Sequence, residues 1–150
     1  MKNKLKIGVI SGPNLNLIQE RDSLHYGEMS LDSIRRGLES EFPELSFHFY
    51  HSNIEGELVQ HLQDYRNEFD GFIVNFGGFS HTSVAIMDAL SLVLVPKIEV
   101  HLSHLAMRED FRQVMLTARA CDGYISGFKA NGYSAACYLL LKLIRGKQID

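Results

Sequence analysis

Cysteine is scarce in this sequence: Cys121 and Cys137 are the two present, and their spacing suits neither a disulfide framework nor a zinc knuckle. Both are read as reduced thiols, which points to the cytoplasm. Charge of either sign never accumulates in a run. With 15 basic and 18 acidic residues and a formal charge of -3, the chain carries no footprint for nucleic acid or for an anionic membrane surface. Long apolar runs are missing too, so a membrane span is not expected. The basic stretch at 1–6 is followed by too few apolar residues for a signal peptide. Repeats, low-complexity tracts and Pro/Gly/Ser-rich linkers are equally absent. No HxxxH pair or His/Cys cluster has metal-ligand spacing, so no metal site is expected. What remains is a chain of 150 residues, 45% hydrophobic and 22% charged. That composition matches one compact domain over 1–150 that acts on a small molecule.

Two apolar patterns alternate along the chain. Short β-rich runs at 6–10, 45–51, 71–75, 97–102 and 123–126 end in Gly, Asn, Ser or His. Between them, apolar residues recur at helical spacing over 31–41, 55–67, 82–92, 107–118 and 133–143. Strands such as Phe72-Ile73-Val74 and Ile98 to Leu102 read as nearly continuous apolar runs, which implies burial on both faces. The expected fold is therefore α/β: a doubly wound five-stranded parallel sheet between helical layers. One long irregular stretch, 12–29, follows the first strand and has the length of a binding loop.

In open α/β sheets ligands bind beyond the carboxyl ends of the strands. There the sequence places Gly12-Pro13-Asn14 with Arg21 and Tyr26, then Asn75 to Ser83, then Glu99-Val100-His101-Leu102-Ser103. Glu99 and His101 lie two apart on a strand, so they share a face with about 6.6 Å between them along the backbone. A buried glutamate needs a partner, and an oriented histidine is a general acid or base. The competing reading is a polar pair held in the core for structural reasons. Gly77-Gly78 before Ser80-His81-Thr82-Ser83 reads as a tight turn into a helix, with Ser80 and Thr82 as caps. Asn75 and His81, facing the same mouth, suggest ligand contacts. Arg21 and Tyr26 are either a surface pair or an activated phenol, because a guanidinium within reach favours phenolate. His48, His51 and His61 are assigned surface or strand-end roles, and Lys97 begins its strand at the opposite rim, against Schiff-base chemistry.

Gly12-Pro13-Asn14-Leu15-Asn16-Leu17 with Arg21 and Tyr26-Gly27, the run 75–83 with Asp88, and Ile98 to Ser103 with Arg108-Glu109 and Phe111-Arg112 occur in one register from about 7 to 143. On these blocks the chain resembles the type II 3-dehydroquinate dehydratases. The resemblance implies a flavodoxin-like fold, a homododecamer built from trimers, and anti elimination of water from 3-dehydroquinate through an enolate. It implies neither metal nor cofactor, and a place in the shikimate pathway or in quinate catabolism. Carried over by position, Tyr26 would accept the proton, Arg21 would activate it, and His101 would protonate the leaving hydroxyl. Glu99 would orient His101, and Asn14 would hold a water that stabilises the enolate. Asn75, His81 and Arg112, with the backbone at Leu102 and Ser103, would bind substrate hydroxyl and carboxylate groups. Asp88 matches a residue that reaches a neighbouring subunit's site. The stretch Val114-Met115-Leu116-Thr117 departs from the family's more polar, serine-containing pattern.

Rival readings fit the strand ends less well. A receiver-type signalling domain needs acidic residues after the first strand, where Ile10-Ser11-Gly12-Pro13 stands. A flavin-binding electron carrier needs a hydroxyl-rich phosphate loop at the same place. A catalytically silent relative kept for binding or assembly is the remaining alternative.

Overall fold

The computed structural model describes residues 3–21 and 29–147. Strands and helices alternate: β1 (Lys6–Ser11), α1 (Leu31–Glu41), β2 (Ser46–His51), α2 (Glu55–Tyr65), β3 (Gly71–Asn75), α3 (Val84–Ser91), β4 (Lys97–His101), β5 (Gly123–Ser126) and α4 (Asn131–Lys147). The five strands form one sheet in the order β2-β1-β3-β4-β5, and every pairing is parallel. This is the doubly wound arrangement that the alternation predicts, in the flavodoxin-like form that the resemblance implies.

Burial follows strand position. β3 and β4 are buried along their whole lengths and β1 in all but its first residue, whereas the edge strand β2 is half-buried. Period-2 alternation then divides the core between the two faces. Ile7, Val9, Ile73, Ile98 and Val100 point to one side, where Ile34 and Leu38 of α1 and Ala136 and Leu140 of α4 cover them. Ile10, Phe72 and Val74 point to the other, under Leu58 and Leu62 of α2 and Ile86 and Leu90 of α3. Each covering pair is four residues apart, the spacing that puts two side chains on one helical stripe. Among the described residues, no helix is long and apolar enough to cross a membrane.

Two helix starts are capped by serine. Ser30 and Ser33 close a reciprocal capping box at α1. At α3 the cap is Ser83, whose hydroxyl accepts from Ile86 N–H at 3.0 Å. The capping role assigned to Ser80 and Thr82 is therefore corrected: Ser80 is buried within a 3₁₀ turn, Gly77–His81, and Thr82 follows that turn. The helix expected over 107–118 does not form either. Three 3₁₀ turns, Leu105–Met107, Asp110–Gln113 and Thr117–Ala120, take its place, separated by extended residues such as Arg108 and Val114. The physical reason is where its backbone groups bond. Val114 O accepts from the His81 ring and Leu116 N–H donates to Ser80 O, so those groups are not available to a continuous helix.

Strand order reverses at β1 and β3, which opens a crevice above their carboxyl ends. Two glycines let the loops cross there. A Cβ on Gly12 would lie 2.4 Å from Phe76 O, and Gly77 has φ +58 and sits under Pro13 O. With Gly12 N–H donating to Asn75 O at 2.7 Å, the two loops are pinned together at the rim.

Candidate active site

Two strand ends, with Arg21 from the segment after β1, bring the site together. β3 delivers Asn75 and the turn after it delivers His81; β4 delivers Glu99 and His101, continuing into Leu102 and Ser103. Arg21, Asn75, His81, His101, Leu102, Ser103, Arg108 and Arg112 line one narrow cleft. Its volume is about 30 Å³ with the arginine side chains in place, room for a water rather than a carbon ring.

At the base, Glu99 is fully buried and its Oε2 lies 2.7 Å from His101 Nε2. Thr117 donates its hydroxyl to the other carboxylate oxygen, Oε1. Because a carboxylate accepts, His101 donates through Nε2, which leaves Nδ1 as the ring nitrogen able to exchange a proton with a ligand. The spacing of two on a strand therefore produces the oriented imidazole that the sequence suggested.

His81 lies beside it, ring centroids 5.9 Å apart. Its Nδ1 donates to Val114 O at 2.8 Å. Burial holds His81 below the ordinary imidazole value, with that hydrogen bond opposing and the charges of His101 and Arg112 adding to the depression. A neutral ring donating through Nδ1 presents Nε2 as an acceptor, suited to a ligand hydroxyl. Asn75 is complementary: its Oδ1 accepts from Gly77 N–H at 3.1 Å, so its amide nitrogen is the group left to donate.

The mouth is cationic. Arg21, Arg108 and Arg112 contribute three guanidinium groups to the lining. Glu109 receives Arg112 Nε at 2.8 Å and Arg108 Nε at 3.6 Å, while Arg108 also donates to Ser103 Oγ at 3.2 Å. Such a fork array recognises carboxylates by paired donors.

Two expected residues, Asn14 and Asp88, are not among those lining the cleft. Asn14 sits in left-handed conformation at the turn after β1, exposed, its N–H donating to Asn53 Oδ1 at 2.9 Å; it is not part of the cleft lining. Asp88 is exposed on α3, away from this chain's own cleft. Tyr26 falls in 22–28, outside the described residues. Among the described residues no three His, Cys, Asp or Glu side chains converge as a metal site. Lys97 is buried with its ammonium donating to Val93 O at 2.6 Å, at the amino end of β4 and far from the mouth.

Sequence reasoning assigned no role to Arg108 or Thr117, and it misplaced His61. That ring is stacked 3.9 Å from Tyr50 and packs on Tyr65, with Nε2 buried, so a surface role is corrected to a half-buried one. The signal was present in the spacing: His48 and Tyr50 alternate on one strand face, and His61, Tyr65 and Phe69 recur every fourth residue. They line a cleft of about 780 Å³ between β2 and α2. That cleft is open and aromatic and lacks the convergent cations of the smaller one, which marks the smaller cleft as the chemical site.

The class II dehydroquinase family model matches residues 5–141. The 3-dehydroquinate dehydratase of Aliarcobacter butzleri is 44% identical over 142 residues, covering 93% of this chain and 87% of that protein. The enzyme of the same name from Fusobacterium nucleatum is 43% identical over 144 residues, covering 92% and 97%. A crystal structure of the type II dehydroquinase from Butyrivibrio crossotus superposes with a TM-score of 0.88 at 35% identity, covering 92% of this chain and 98% of that one. A family match across nearly the whole chain, on a fold of the same kind, places this protein in the class II dehydroquinase family.

Proposed function

We propose that the protein dehydrates 3-dehydroquinate to 3-dehydroshikimate by acid–base catalysis through an enolate. The observation that carries the proposal is the buried Glu99–His101 pair at the base of a cleft lined by three arginines. A ring with one carboxylate and several hydroxyls matches that lining: guanidinium groups for the carboxylate, Asn75 and His81 for hydroxyls, and an oriented imidazole for the group that departs.

In this reading a base removes the proton next to the ketone, charge develops on the carbonyl oxygen, and His101 donates a proton as the hydroxyl leaves as water. The resemblance gives the base to Tyr26, activated by Arg21, and the enolate's stabilising water to Asn14. Arg112 and the backbone at Leu102 and Ser103 hold the carboxylate. Asp88 reaches the cleft of a neighbouring subunit within a trimer, and four trimers form the dodecamer. The whole chain acts as one domain in the cytoplasm.

The test is direct. Purified protein mixed with 3-dehydroquinate is expected to generate the ultraviolet absorbance of a conjugated enone. No rise in absorbance with folded protein and authentic substrate refutes the reading in favour of the silent relative.

A further inference from the structure

The segment after the arginines, 114–117, reaches one imidazole of the site directly and the other through Glu99. Val114 O fixes the His81 ring through Nδ1 at 2.8 Å. Three residues later, Thr117 donates its hydroxyl to Glu99 Oε1, while Glu99 Oε2 holds His101. Thr117 is fully buried, as is Glu99. Leu116 N–H donating to Ser80 O at 2.9 Å ties the segment to the turn that carries His81, and Cys121 Sγ, 3.6 Å from Thr117 O, closes the other side.

We propose that Thr117 is a positioning residue for the reaction, acting on His101 through Glu99. The inference rests on the reading of His101 as the proton donor. A carboxylate on a strand has a side chain free to turn about its last bond, and one hydrogen bond to the imidazole leaves that rotation open. A second donor on the other oxygen fixes the plane of the carboxylate and thereby the direction of Nε2 and of the ring. It also supplies the partner that a buried oxygen requires. Both side chains are fully buried, and the chain itself supplies the donor to that oxygen.

Three variants decide the matter: Thr117→Val, which keeps shape and loses the hydroxyl; Thr117→Ser, which keeps the hydroxyl; and Thr117→Val combined with His101→Ala. Thr117→Val is expected to lower kcat by about tenfold, the scale of one charge-assisted hydrogen bond, with KM nearly unchanged. Thr117→Ser recovers most of that loss. In the His101→Ala background Thr117→Val adds no further loss, because the group it positions is gone. The proposal is overturned if Thr117→Val turns over like wild type, if Ser and Val fall alike, or if Val costs the same factor with and without His101. A wild-type kcat in His101→Ala overturns the donor reading, and this proposal with it. Should Thr117→Val not fold, Thr117→Cys, a weak donor of similar size, is judged by the same criteria.

Discussion

Glu99→Gln separates charge from shape at the center of the site. The substitution is isosteric, so the packing around a fully buried side chain is preserved and cavity terms drop out. Two orientations of the amide are available. With its oxygen toward His101, the 2.7 Å contact survives as a neutral hydrogen bond, and the amide nitrogen donates to Thr117 in reverse of the native direction. With its nitrogen toward His101, the ring must accept through Nε2 and carry its proton on Nδ1, the reverse of the native tautomer. The first arrangement costs the difference between a charge-assisted and a neutral hydrogen bond, about 1–2 kcal/mol. That converts to roughly 5- to 30-fold in kcat. Removing the donor outright, by His101→Ala, is expected to cost more, about 10²- to 10⁴-fold. Because the effect is expressed when the hydroxyl leaves, kcat and kcat/KM should fall together while KM stays near its wild-type value. Steady-state kinetics on the enone absorbance, with circular dichroism to verify folding, measures both. A Glu99→Gln variant with wild-type kcat, or one in which only KM rises, would return the pair to a structural role.

Two further outcomes follow from residues other than the pair. Burial depresses both His61 and His81, so each releases its proton on folding. Their stabilising contribution is complete above the unfolded value of about 6.5 and is lost as pH falls through the lower folded value. Thermal melting should therefore decline below about pH 6.5, and His61→Phe should flatten that decline without changing turnover at neutral pH; an identical decline in the variant would remove His61 from the account. Asp88, exposed on α3 and outside its own chain's cleft, should matter only between subunits. Asp88→Ala and His101→Ala chains, each impaired alone, are expected to regain activity when unfolded together and reassembled, whereas mixtures no better than their parts, or a fully active monomer in sedimentation, would refute a shared site.

The strands were readable because a parallel sheet buried on both faces forces unbroken apolar runs. β3 and β5 fall where the runs place them, and the others differ by a residue at one end. Topology then carried Asn75, His81 and His101 to one rim without any contact having to be guessed. Helix ends were less legible, since Ser83 rather than Thr82 supplies the cap and apolar spacing does not register a preceding 3₁₀ turn. The stretch 107–118 misled for a related reason: its apolar residues recur at helical intervals, yet Met107 and Phe111 are exposed and its backbone bonds to distant segments. The same irregularity hid Thr117, which meets Glu99 across 18 positions of chain through no periodic element. Arg108 stood among the matching blocks, but its 3.2 Å contact with Ser103 belongs to the folded loop alone.

The strand order has a kinetic consequence. β1 pairs with β3 along its length, Ile7 against Gly71 through Ser11 against Asn75, so the central ladder closes only after α1, β2 and α2 have been looped out between its halves. Closing that loop costs chain entropy before any contact repays it. The crevice and the Gly12 crossing over Phe76, with its bond to Asn75 O, both depend on that one closure. Binding competence should accordingly emerge late and all at once during refolding, lagging behind helix formation rather than growing with it.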